Sequence, residues 1–262
     1  MNFGKWRLAK ASAIGQAHIR QETVCQDRLA CEIFERETDE ILIAVIGDGA
    51  GSTSDGQTGA EIACKTFVEQ IKSFLSSSQA SIKSLNKSFG KFWISHFQEK
   101  IGEIAKLKNK ETREFATTLI GVVAGKDAVA FYQVGDGGAV FSVSGEKESY
   151  KFGLEPEDTE YVNMTNFLTD ETAIDSLKFK LIEEPVEDII LFSDGIYSVA
   201  VDYKDNSPHE PFLMPMIAPL RSSTEVNGLN EKLESFLASP KLNEKTDDDK
   251  TIILASRHLR KE

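Results

Sequence analysis

The chain has 262 residues, 40% hydrophobic and 27% charged, with a formal net charge of −12. That length suits one large domain or two small ones, with a core sizeable enough to fold without a disulfide or structural metal. The acidic balance excludes a nucleic-acid backbone as the main partner, because neutralising phosphates takes clustered Lys and Arg.

In chain order, a short strand-like segment ends over Ser12–Gly15, and Arg28–Phe34 reads as a strand. Acidic Glu35–Glu40 reads as a hairpin turn. Ile41–Ile46 follows as a buried strand: short, aliphatic and closed by Gly47. Two helices come next. Ala60, Ala63, Cys64, Phe67, Ile71 and Phe74 share one face at helical spacing, and so do Leu85, Phe89, Phe92, Trp93, Phe97, Ile101 and Ile104. The Ser-rich link Ser76–Ser81 makes them antiparallel neighbours. Thr117–Ala124, Ala128–Val134 and Ala139–Val143, separated by glycine turns, read as a meander. Glu187–Phe192 and Thr251–Ala255 are further apolar strands.

Between those two strands lies Val201–Pro219, with Pro208, Pro211, Pro215 and Pro219. It reads either as a substrate-facing flap or as a surface loop with a short helix. Its Phe212, Met214 and Met216 either meet a partner or tuck into the core. A last helix presents Leu229, Leu233, Phe236 and Leu237 on one face and stops at Pro240. Strands and helices are segregated rather than alternating, which predicts an α+β fold. Two packed antiparallel sheets with helices on their outer faces would bury every apolar stripe. With no internal repeat or low-complexity linker, residues 1–262 read as a single domain.

Cys25, Cys31 and Cys64 offer neither a disulfide framework nor CxxC spacing, so they read as reduced thiols of a cytoplasmic protein. Ile41–Ile46 is far too short to span a membrane, and Lys5, Arg7 and Lys10 precede no apolar stretch that would make a signal peptide.

Three apolar strands end alike, in Gly47-Asp48-Gly49, Gly135-Asp136-Gly137 and Ser193-Asp194-Gly195. A fourth acidic group, Asp247-Asp248-Asp249, directly precedes the strand at Thr251. A lone Asp-Gly is a common turn. Several aspartates at the ends of neighbouring strands can instead converge on one rim. There their charges repel unless a cation lies between them. An all-oxygen ligand set favours Mg²⁺ or Mn²⁺, and His18, His96, His209 and His258 show no zinc-ligand spacing.

These motifs resemble those of the type 2C metal-dependent serine/threonine protein phosphatases, particularly their compact bacterial branch. Six segments follow the family order: Gln26-Asp27 after Gly15-x-x-His18; Val45–Ser52 with Gly59-Ala60 opening a helix; Thr117-Thr118-Leu119; Val134–Gly137; Leu191–Gly195; and Asp248-Asp249-x-Thr251. The resemblance implies a two-sheet β-sandwich flanked by pairs of antiparallel α-helices. It implies that Asp48 bridges two metal ions, that the Gly49 carbonyl completes one, and that Asp194 and Asp248 hold the other. Asp136, with Asp194, would serve a weaker third ion, while Gln26 and Asp27 would orient the centre's waters. The implied reaction is hydrolysis of phosphoserine or phosphothreonine in proteins by a water shared between two Mn²⁺ or Mg²⁺ ions about 4 Å apart. The implied partners are a phosphoprotein substrate and a cognate kinase, with no nucleic acid or membrane, and the protein would act as a monomer.

The chain departs from the family pattern in places. The arginine that many relatives carry before the first Asp is absent, leaving His18, Arg20 and Arg28 as candidates to bind phosphate. Ala50 stands where some relatives have a histidine acid, and Asp249 where many have asparagine. Ser193, beside Asp194, is conceivable as a nucleophile, but it lies inside a metal motif. The alternatives are a non-catalytic metal-binding module on the same fold and a small-molecule phosphomonoesterase.

Overall fold

The computed structural model describes residues 2–36, 39–77, 80–143, 149–156, 165–222, 228–257 and 259–260. The tip of the expected turn at 37–38, the middle of the Ser76–Ser81 link and His258 lie outside them.

The N-terminal part holds β1 (Asn2–Phe3), β2 (Arg7–Ala13), α1 (Gln16–Arg20), β3 (Arg28–Arg36) and β4 (Asp39–Gly47). Helices α2 (Gly56–Leu75) and α3 (Lys87–Lys108) follow. Next come β5 (Leu119–Ala124), β6 (Val129–Val134), β7 (Gly138–Val143), β8 (Lys151–Phe152), α4 (Ala173–Ser176), β9 (Lys178–Ile182) and β10 (Val186–Phe192). The chain continues through α5 (Asp194–Ala200), β11 (Val201–Asp202), β12 (Ser207–Pro208), α6 (Glu210–Ser222), α7 (Leu229–Leu237) and α8 (Pro240–Asn243). It closes with β13 (Lys250–Ser256) and β14 (Leu259–Arg260).

Two five-stranded antiparallel sheets carry the molecule. One has the order β3-β4-β5-β6-β9, the other β2-β13-β10-β7-β8. The run Ile41–Ile46 shows why they stack. Alternate side chains on a strand point to opposite faces. Ile41, Ile43 and Val45 pack under α2 and α3 with Phe67, Trp93 and Phe97. Leu42, Ala44 and Ile46 face the other sheet and join Phe141, Ile189, Leu191 and Ile253. A strand buried on both faces must be apolar throughout, so this one shows no polar alternation. The far face of the second sheet is covered by α5, α6 and α7 through Ile196, Leu213, Ile217 and Leu233.

The two long helices form where their apolar stripes predict, except that Phe92 is 62% exposed and Leu85 lies just before α3. The Asn86 side chain caps α3 by accepting from the Phe89 N–H at 3.0 Å, and Asn109 ends it at φ 52°. Phe67 and Trp93 meet edge-on across the pair, centroids 5.6 Å apart.

One expectation needs correction. Strands β5, β6 and β7 are not a meander. β6 pairs with β5 and β9, whereas β7 pairs with β10 in the opposite sheet. The reversal runs through Gly135 and Gly137, both at φ +89°, a conformation that side chains with a Cβ rarely adopt. Asp136 therefore sits where the chain passes from one sheet to the other. The segment Val201–Pro219 reads as a flap or as a surface loop with a short helix, and it does contain a helix. It forms the hairpin β11–β12 and then α6, which contains Pro215 and Pro219. Proline weakens a helix interior, but Leu213, Ile217 and Leu220 anchor α6 in the second core cluster, with Phe212, Met214 and Met216 against it. The helix is also tied to β10, where Arg221 Nε donates to buried Asp188 at 3.0 Å.

Among the described residues no helix is long and apolar enough to cross a membrane.

Candidate metal centre

Each aspartate is placed by the backbone around it. Asp48 leaves β4, and the start of the neighbouring strand β5 grips its peptide. The Thr118 N–H donates to the Asp48 carbonyl at 2.8 Å, and the Thr117 hydroxyl donates to the same oxygen at 3.0 Å. Asp136 comes from the crossover between the sheets, where the Thr165 hydroxyl donates to its Oδ2 at 3.0 Å. Asp194 opens α5 after β10, and the Ser193 N–H before it donates to the Thr251 carbonyl of β13 at 3.0 Å. The three carboxylates come from strands of both sheets, yet each offers an oxygen within 4.8 Å of the other two.

Their electrostatics follow from crowding and burial. Burial, then the charges of Asp27 and Asp194, hold the Asp48 carboxyl well above the usual carboxylate range. Asp194 is raised to about 7, by burial first and then by Asp248 and Asp136. Asp27 is raised to about 6 by burial, against hydrogen bonds that favour its ionised form.

Asp248 lies outside the close triad but near enough for its charge to act on both Asp48 and Asp194. The Gly49 N–H donates to the Gln26 carbonyl at 3.3 Å, which brings the Gln26-Asp27 segment against the Asp48 loop. Asp27 is buried, and its Oδ2 accepts from the Ser193 hydroxyl at 2.8 Å. The same hydroxyl oxygen accepts from the Thr251 N–H at 2.9 Å. Ser193, 2% exposed and engaged on both sides, is a brace rather than a nucleophile.

Asp249 has a larger structural part than its neighbour suggested. One of its carboxylate oxygens accepts from the Gly15 N–H at 2.6 Å and the other from the Gln26 N–H at 2.6 Å. His18 Nδ1 lies 2.9 Å from that second oxygen. The carboxylate thus fastens the end of β2, the Gln26-Asp27 segment and α1 to the chain entering β13. The approach of α5 is equally tight: a Cβ on Gly195 would lie 1.9 Å from the Asp249 carbonyl oxygen. The candidate phosphate-binding residues each have a contact in the structure. His18 faces Asp249, Arg20 pairs with Asp247 at 2.7 Å on the surface, and Arg28 donates to the Cys25 carbonyl at 3.0 Å.

The residues suit hard divalent cations. The triad supplies oxygen only, its members repel when ionised, and Asp194 Oδ1 is buried without a hydrogen-bond partner. Fold and site together define a candidate divalent-metal centre, built on a two-sheet sandwich with aspartates converging at the rim.

The comparisons agree. The family model described as "Protein phosphatase 2C" matches residues 14–238. Serine/threonine-protein phosphatase 3 of Escherichia coli (strain K12) is 35% identical over 254 residues, covering 95% of this chain and 98% of that one. Among solved structures, serine/threonine phosphatase Stp1 from Staphylococcus aureus superposes with a TM-score of 0.59 at 15% identity, over 98% of this chain and 97% of that one. The catalytic domain of PstP, a serine threonine protein phosphatase solved with two manganese ions, gives 0.56 at 13% identity, over 96% and 98%. The chain belongs to the protein phosphatase 2C family and is a metal-dependent protein phosphatase.

Proposed function

We propose that the protein removes phosphate from phosphoserine and phosphothreonine in proteins at a centre of two, or three, Mn²⁺ or Mg²⁺ ions. The observation that carries this reading is the convergence of Asp48, Asp136 and Asp194 from two sheets onto one point. Ions bound there supply a water ionised near neutral pH and positive charge against the phosphate oxygens. Asp48, Asp136, Asp194 and Asp248, with the Gly49 carbonyl, are the groups that would hold them. Asp27, pinned through Oδ2 by Ser193, keeps a buried Oδ1 without a partner beside Asp48, placed to accept from water. Gln26 keeps a buried Oε1 without a partner, set close against Gly56 at the start of α2.

Residues 1–262 act in this reading as one catalytic domain, a monomer working in the cytoplasm against a cognate kinase. The thiols suit a reducing compartment. None is paired, and burial pushes Cys25, Cys31 and Cys64 up to about 12, where they are poor nucleophiles.

Turnover of a phosphothreonine peptide is expected to vanish in EDTA and to return with Mn²⁺, better than with Zn²⁺ or Ca²⁺. Full activity in metal-free buffer would overturn the mechanism. No turnover at any Mn²⁺ concentration would favour a non-catalytic module.

A further inference from the structure

Beside the acidic cluster the surface opens into a cleft of about 300 Å³, the small end of the range for ligand-binding clefts. Asp136 and Asp194 belong to its lining, so cleft and metal centre are continuous. Gln133, Thr165, Asn166 and Lys178 add further polar groups, but one side of the wall has a different chemistry. Phe152 of β8, Leu154 and Pro156 just after it, Tyr197 of α5, and Tyr203 in the turn between β11 and β12 present hydrocarbon and ring surface.

The wall is partly rigid and partly open. Tyr197 is braced from behind by Phe192, with ring centroids 6.1 Å apart. Tyr203 stands 6.0 Å from Tyr197 and is 59% exposed. Hydrolysing a phosphate ester needs no apolar wall at the edge of a charged centre. A wall of this kind suits a neutral, apolar group attached to whatever brings the phosphate.

We propose that this cleft is a substrate subsite that takes an apolar side chain next to the phosphorylated residue, with Tyr203 and Tyr197 as its specificity-determining walls. The proposal rests on the protein-phosphatase reading above. It commits to a phosphopeptide bearing a leucine- or phenylalanine-like neighbour, because the subsite opens directly off the phosphate-handling centre. Losing a well-packed apolar contact of this size typically changes selectivity by about tenfold or more.

The test is a panel of phosphothreonine peptides with Ala, Leu, Phe or Glu at each position flanking the phosphothreonine, assayed with Mn²⁺. The quantity read is kcat/KM relative to the Ala peptide, within each protein variant, so that any general effect on chemistry cancels. Wild type is expected to favour Leu or Phe over Ala at one flanking position by about tenfold. Tyr203→Ser should bring that preference below about threefold, and Tyr203→Phe should keep it. Equal hydrolysis of all the peptides by wild type, or an undiminished preference in Tyr203→Ser, would overturn the subsite while leaving the phosphatase reading intact. Hydrolysis of none of the peptides would instead overturn the reading on which the subsite rests.

Discussion

Asp48→Asn and Asp194→Asn are each expected to lower turnover by about three orders of magnitude. The reasoning is electrostatic. Each substitution removes a full negative charge from a triad whose oxygens lie within 4.8 Å of one another. A metal centre contributes several kcal/mol of charge stabilisation in the transition state, and about 1.4 kcal/mol is a factor of ten. Asparagine keeps the shape and one carbonyl oxygen, so a loss of that size would reflect charge rather than packing. The measurement is kcat on a phosphopeptide at saturating Mn²⁺. Variants within tenfold of wild type would mean that the chemistry lies elsewhere.

The second large effect concerns the metal-free protein and its pH dependence. Asp194 is raised from 3.8 to about 7, Asp27 to about 6, and Asp48 well above 3.8, burial being the leading cause for each. Between pH 4 and 7 the folded state therefore binds more protons than the unfolded chain. Stability then falls as pH rises, since its slope has the sign of unfolded minus folded protons bound. The metal-free protein should be most stable at and below about pH 4 as far as these groups are concerned. It should lose stability as pH rises through about 6 and about 7, where Asp27 and Asp194 ionise. Divalent ions should reverse the loss by binding only the folded state. At pH 7.5 in EDTA, Asp194→Asn should melt higher than wild type by roughly 5 °C, a few kcal/mol at about 2–4 °C each for a domain of this size. Thermal melts of both proteins across that pH range check the sign. A mutant that melts lower than wild type in EDTA would show that the aspartates do not repel one another as described.

The site could be read from sequence because its aspartates share a local device: an apolar strand stopped by Asp-Gly. That device is short-range, so it survives in sequence, and it picked out Asp48, Asp136 and Asp194. Thr165 could not be found this way. It reaches Asp136 from 29 residues away along the chain and carries no pattern of its own. Asp249 was visible only as the neighbour of Asp248. Its part as a clamp depends on the Gly15 and Gln26 N–H groups, 234 and 223 residues distant in the chain. The cleft wall was hidden for the same reason, since Phe152, Tyr197 and Tyr203 belong to three separate elements.

The fold shows a similar division. Periodicity located the long helices and the apolar strands, because burial on one or both faces is written residue by residue. Which sheet a strand joins is not written there. Strands β6 and β7 are apolar, adjacent and joined by a tight glycine turn, which is also how a hairpin looks. Only the pairing of β7 with β10 shows that the turn crosses between layers. That crossing delivers Asp136 to the centre.

Calorimetric titration of the metal-free protein with Mn²⁺, on wild type and Asp194→Asn side by side, tests the central claim most directly. The convergence of Asp48, Asp136 and Asp194 predicts saturable binding of at least two ions by wild type and loss of at least one from the variant. Identical titrations of the two proteins, or no saturable binding by wild type, would contradict it.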